Sequence, residues 1–180
     1  PRQNFAVVSL QRRVFARSNV GFIFINKQSL DYQLPDNPDA PVYTQYNRNL
    51  GLEYNLASSN NLWTGKALVL KSFTPDVSGN DFTHAANLQY FNRRLTMSWQ
   101  HEYVGENYNA EVGYVPRKNF IRIYPQAAYL FFPKGNKVLS HGPKLSSSYY
   151  FDPSFNQTDN LSLLSYAVTF RKQSVLTGWI

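Results

Sequence analysis

Apolar and polar side chains alternate along most of this chain with a period of two. From Leu95 to Tyr103, residues Leu95, Met97, Trp99, His101 and Tyr103 fall on one side. Thr96, Ser98, Gln100 and Glu102 fall on the other. A strand turns successive side chains to opposite faces, so this pattern predicts a two-faced β-strand. Arg48 to Leu56 repeats it, with Leu50, Leu52, Tyr54 and Leu56 opposed to Asn49, Gly51, Glu53 and Asn55. The stretches 81–91, 120–132 and 161–171 alternate in the same way. Shorter or less regular runs near 4–13, 20–26, 62–72, 138–150 and 174–180 bring the expected number of strands to ten. Two features run against the pattern. Leu68 and Leu70 occupy the polar side of their strand, and Pro125 and Pro143 lie inside strands, where each removes a ladder donor.

The connections between these runs fall near 14–19, 27–46, 57–61, 73–81, 92–94, 104–118, 133–137, 151–160 and 172–173. They alternate short and long, which places the long ones together at one end of an antiparallel sheet. Strands of about 9–11 residues with short turns at one end and long loops at the other describe a transmembrane β-barrel. Greek-key crossovers in a soluble sandwich mix the two ends. A polar face carrying Asn49, Glu53, Gln89, Gln100 and Arg122 also suits a wet lumen better than a dry core. The expected fold is therefore all-β, an antiparallel up-and-down transmembrane β-barrel with about ten strands present. With long loops outward, the first strand runs toward the periplasm and the last run reaches Ile180, so 1–180 reads as one barrel domain incomplete at both ends. The alternative is a soluble all-β carbohydrate-binding module. The two readings part at Leu50, Leu52, Trp99 and Ile123, which face lipid in the first and a core in the second.

Composition sharpens the choice. The 180 residues are 16% aromatic and 16% charged, against about 25% charged in ordinary soluble domains. Cysteine is absent, which rules out disulfides and thiolate metal sites. No run of about 18 apolar residues can form a membrane helix. The charge of +7 is sorted along the chain. Ten of the eleven acidic residues, Asp31, Asp36, Asp39, Asp76, Asp81, Glu102, Glu106, Glu111, Asp152 and Asp159, lie in or beside the long connections. Nine of the 18 basic residues, including Arg12, Arg13, Arg93 and Arg94, lie at short turns or the strand ends feeding them. Aspartate as a turn former accounts for part of this sorting. The basic excess forms no continuous stripe, so no nucleic-acid partner is expected. The expected location is the bacterial outer membrane, with its lipid, lipopolysaccharide and other envelope proteins as partners.

Candidate chemistry is sparse. His84 and His101 sit on neighbouring strands, but no third donor accompanies them, and a transition-metal site needs three or four. Ser140 and His141 are adjacent and so point to opposite faces. Glu53 and Glu102 lie on non-adjacent strands, whereas Glu106 and Glu111 share a loop and form the one carboxylate pair to weigh for hydrolysis. No catalytic residue, metal or cofactor is assigned, and the chain is read as non-enzymatic. Asn49, Glu53, Lys66, Gln89, Gln100, Glu102 and Arg122 are the expected lumen lining. Leu50, Leu52, Tyr54, Trp63, Trp99, Tyr103, Ile123 and Tyr129 are expected to face lipid or form an aromatic girdle. The stretch VGENYNAEVGYVPRKNF, with Gly105, Glu106, Asn107, Asn109, Glu111, Gly113 and Arg117, reads as an ordered outward loop. Function is expected in solute transport or binding, or as a scaffold in an envelope complex; the substrate is not legible.

Four stretches, Val7–Ser29, Tyr46–Leu56, Asn61–Pro75 and Val104–Ile123, resemble the C-terminal barrel of a Bacteroidota outer-membrane family (domain-of-unknown-function family 5916). Members carry an N-terminal domain similar to carbohydrate-binding module family 9. The resemblance implies an outer-membrane barrel and carries over no catalytic residues; the sugar-binding-like domain has no counterpart in these 180 residues.

Overall fold

A computed structural model describes residues 2–32, 44–75 and 77–180. Asp36, Asp39 and Asp76 lie outside the described residues. Ten strands follow one another: β1 (Gln3–Val14), β2 (Ser18–Ser29), β3 (Tyr46–Ala57), β4 (Trp63–Phe73), β5 (Phe82–Phe91), β6 (Leu95–Val104), β7 (Phe120–Tyr129), β8 (Val138–Phe151), β9 (Gln157–Phe170) and β10 (Val175–Trp179). They form one antiparallel up-and-down sheet in sequence order. The order starts at β1 and ends at β10 without pairing the two, so a closed barrel is not present among the described residues.

The expected alternation of loop lengths holds through the first six connections and then fails. The stretch 151–160, expected as a long loop, is a tight turn at 152–156. Thr158, Asp159 and Asn160 look like turn formers but belong to β9, where Asp159 pairs with Tyr150 and Asn160 with Tyr149. The turn is closed instead by Asp152. Its carboxylate accepts from the backbone N–H of Ser154 at 2.8 Å and of Asn156 at 3.0 Å, and from Asn156 Nδ2 at 2.9 Å.

Residue contacts divide the chain into two compact units. The first comprises Pro1–Asn55, Ala67–Ala85 and Tyr103–Phe120. Here the register Val7↔Ile25 and Ile25↔Asn49 carries one face across β1, β2 and β3. On β3 that face is the covered one: Asn47 is 0% exposed, Asn49 and Gly51 are buried, while Leu52 on the opposite face is 50% exposed. The usual inside-out order of a soluble domain is reversed. The misplaced Leu70 is explained by a glycine. A Cβ on Gly51 would stand 2.1 Å from Leu70 Cδ2, so the leucine fills the space that a side chain at 51 would need. Glu53 lies over Gly21 in the same manner, with its Cγ 2.6 Å from where a Cβ would be.

The second unit comprises Leu56–Lys66, Ala86–Glu102 and Ile121–Ile180. Its two internal prolines are tolerated because each deletes rungs without shifting the strand. The β7–β8 ladder reaches Ile123↔Tyr149 and resumes at Gln126↔Ser146 in unchanged register, passing over Pro125. Pro143 stands past the rung Ala128↔Lys144, and the chain pairs again at Phe131↔His141. Aromatic side chains cluster on the apolar face: Trp63 and Tyr90 have ring centroids 5.0 Å apart, and Tyr129 and Phe131 4.9 Å. Trp99 is 46% exposed.

Candidate functional site

The densest polar constellation lies in the first unit, where the β6–β7 connection (105–119) meets β2, β3 and β4. Its base is fixed by backbone. Gly105 N–H donates to Phe82 O at 3.0 Å, and Asn107 N–H to Asn80 O at 3.0 Å. Asn107 Nδ2 donates to Gly79 O at 2.8 Å. A Cβ on Gly105 would stand 2.0 Å from Asn80 O, so this close approach requires glycine. Tyr108 follows and is buried; burial pushes its phenol above the ordinary value, since the ionised form loses hydration.

Asn109 and Glu111 are held by side chains of β2, β3 and β4 and by Thr44, just ahead of β3. Asn109 N–H donates to Ser72 Oγ at 3.0 Å. Asn109 O accepts from Asn47 Nδ2 at 3.0 Å and Asn49 Nδ2 at 3.2 Å. Glu111 accepts from Lys27 Nζ, from Thr44 Oγ1 at 2.6 Å and from Asn109 Nδ2 at 3.2 Å. Burial works to raise the Glu111 pKa, but the bonds from Lys27, Thr44 and Asn109, with the Lys27 charge, outweigh it. The carboxyl is held below its ordinary value. One polar atom stands apart. Asn49 Oδ1 is buried and has no hydrogen-bond partner among the described residues.

Within this connection, residues 107–111 are bonded back onto the strands and onto the 79–82 segment. Four expected loop residues, Gly105, Asn107, Asn109 and Glu111, take part in the base or the latch. Gly113 closes a local turn by donating to Ala110 O at 2.9 Å. Arg117 lies over the Phe120 ring at 5.4 Å. Glu106 is exposed and Glu111 is partly buried in the latch, so the two loop carboxylates have unlike surroundings. Lys27, Thr44, Asn47 and Ser72 were not anticipated from sequence. Lys27 had a signal in the period-two series Ile23, Ile25, Lys27, but the strand was expected to stop at 26 and in fact runs to Ser29.

Of the remaining lumen candidates, Glu53 accepts from Asn55 Nδ2 at 2.9 Å in the first unit. In the second, Arg122 Nη1 lies 3.8 Å from Glu102 Oε1, and Arg122 Nε donates to Ser148 Oγ at 3.3 Å. Its guanidinium lies 5.0 Å from the Tyr124 ring centre and 5.5 Å from that of Tyr150. Gln100 is half-buried, whereas Lys66 and Gln89 are exposed. Lys66 N–H donates to Asn87 Oδ1 at 2.8 Å.

Two of the three histidines, His84 and His141, are engaged with aromatic rings. His84 stacks on Tyr103 at 5.4 Å between centroids. His141 Nδ1 lies 2.6 Å from Tyr166 Oη and its ring stacks on Phe131 at 5.3 Å. Ser140 faces Thr169 while His141 faces Val168, so the two point to opposite sides. No group of three or more His, Asp or Glu residues able to hold a metal occurs among the described residues. No protein-family model, curated protein or solved structure matches the chain.

Proposed function

We propose that this chain is a wall segment of an outer-membrane β-barrel, non-enzymatic, whose polar face handles solute and whose loops contact other envelope components. The observation that carries the reading is the reversal of faces on β3. Asn47, Asn49 and Gly51 are covered while Leu50 and Leu52 are exposed. In water this exposes apolar area at about 25 cal/mol per Å², whereas in a bilayer the same leucines face hydrocarbon and the covered asparagines lie on the lumen side. Exposure of Leu50, Leu52 and Trp99 favours this reading over a soluble carbohydrate-binding module, which needs those residues in its core. Lipid and lipopolysaccharide are the partners of the apolar face. The resemblance to the Bacteroidota barrels belongs to the same proposal.

The test is fractionation of the full-length protein. Expected is recovery in outer membranes, extraction only with detergent, and a folded band in unheated samples that shifts on boiling. Recovery as a soluble species without detergent overturns the reading. Solute flux into liposomes carrying the protein then separates transport from a scaffold role.

A further inference from the structure

The way β2, β3 and β4 hold residues 109–111 is the way a protein holds a peptide. Both backbone groups of Asn109 are engaged: the N–H by Ser72, and the carbonyl by two asparagine amides. Two residues on, a carboxylate is clasped by an ammonium and a hydroxyl, Lys27 and Thr44. The clasp is made by Lys27 of β2 and by Thr44, just ahead of β3, and this inference rests on the polar face being the wet one, as proposed above.

We infer that the polar face of β2–β4 is a binding site for an acidic peptide, and that the β6–β7 connection occupies it as a built-in surrogate. Two further observations point the same way. Asn49 is nine-tenths buried or more, and the Oδ1 of the same amide that holds Asn109 has no partner among the described residues. A buried acceptor left unmatched costs free energy, and an untethered peptide can bring the N–H that the loop does not. Beyond the latch, Val112 and Tyr114 are exposed, so little apolar burial holds that part of the loop down. A tethered segment competes at an effective concentration of about millimolar. Ligands therefore bind the intact protein weakly, and tightly only once the latch is opened.

The probe is the capped peptide acetyl-Asn-Ala-Glu-amide, titrated calorimetrically into the full-length protein in detergent. Two released forms are compared with the native protein. Glu111→Gln keeps the shape of the side chain and removes its charge; the second form replaces residues 107–112 by alternating glycine and serine. Expected is binding at least about tenfold tighter for the released forms than for the native protein, a step of about 1.4 kcal/mol. The peptide with glutamine in place of glutamate binds at least about tenfold more weakly, and Lys27→Met in the Glu111→Gln background abolishes binding. Glu111→Gln protein that keeps the native β circular-dichroism signal yet binds neither peptide, or both equally, overturns the proposal. Should the protein prove soluble, the same titration runs in plain buffer, so failure of the membrane reading and failure of this one are seen separately.

Discussion

Lys27 on β2 and Glu111 in the β6–β7 connection, 84 positions apart in the chain, form an ion pair whose side chains are only 12% and 17% exposed. Removing one partner of a shielded pair leaves the other charge poorly solvated, so the pair is worth more than an exposed surface bridge. Lys27→Met is expected to loosen residues 107–113 by about 2 kcal/mol. Faster amide exchange at Asn109 and Glu111, with the strands unchanged, is the measurement.

Acid opens the same latch. The Glu111 carboxyl is held below its ordinary value of 4.5. A carboxyl depressed in the folded state contributes stability above its unfolded value and loses it as pH falls through the folded value. Protection of the Asn109 amide is therefore expected to be constant from neutral pH to about 5 and to fall steadily below 4.5. Glu111→Gln should be flat across that window. A native profile equally flat refutes the assignment.

Two glycines differ in what an added methyl group meets. At Gly51 the obstacle is the end of the Leu70 side chain, which can move; at Gly105 it is the Asn80 carbonyl, which is backbone. Gly51→Ala is expected to cost about 1 kcal/mol and Gly105→Ala about 3 kcal/mol. Adding Leu70→Ala should relieve the strain at 51, giving a positive coupling in a double-mutant cycle by denaturant unfolding.

Arg122 and Glu102 are unequal partners. Their ion pair is long, at 3.8 Å, and partly exposed, but Arg122 also bonds Ser148 and lies over two tyrosine rings. Glu102→Gln should cost less than about 0.5 kcal/mol and Arg122→Ala about 2 kcal/mol. Arg122→Lys should recover little, because the planar stacking group is lost. Equal costs for Glu102→Gln and Arg122→Ala in unfolding experiments contradict this account.

The Asp152 turn offers a graded test. Hydrogen bonds from Asn156, side chain first and then backbone, together with Ser154 N–H, hold its carboxyl below the ordinary value. Asp152→Asn keeps an oxygen for the two backbone donors, whereas Asp152→Ala keeps none. Amide exchange at Ser154 and Asn156 is expected to rise slightly in the first variant and strongly in the second. In the native protein it should rise as pH falls through the depressed carboxyl value.

The strand count, the antiparallel order and the division of β3 into a polar and an apolar face were all legible in sequence, because the pleat forces a period of two on any strand. Leu68 and Leu70 were legible only as exceptions. The reason for Leu70, a glycine on the neighbouring strand, depends on register, which a period cannot supply. The turn at Asp152 was misjudged because Asp159 and Asn160 have the same composition in a loop as in an exposed strand.

For the candidate site the division is sharper. By itself the sequence determined that Gly105, Asn107, Asn109 and Glu111 share one polar connection, since they are neighbours in the chain. Only the tertiary structure decided that this connection turns back to Lys27, Asn47, Asn49 and Ser72. Those contacts span up to 84 positions, and hydrogen bonds of that range are set by how strands pair and how a loop is anchored at its base. Local spacing carries no record of either.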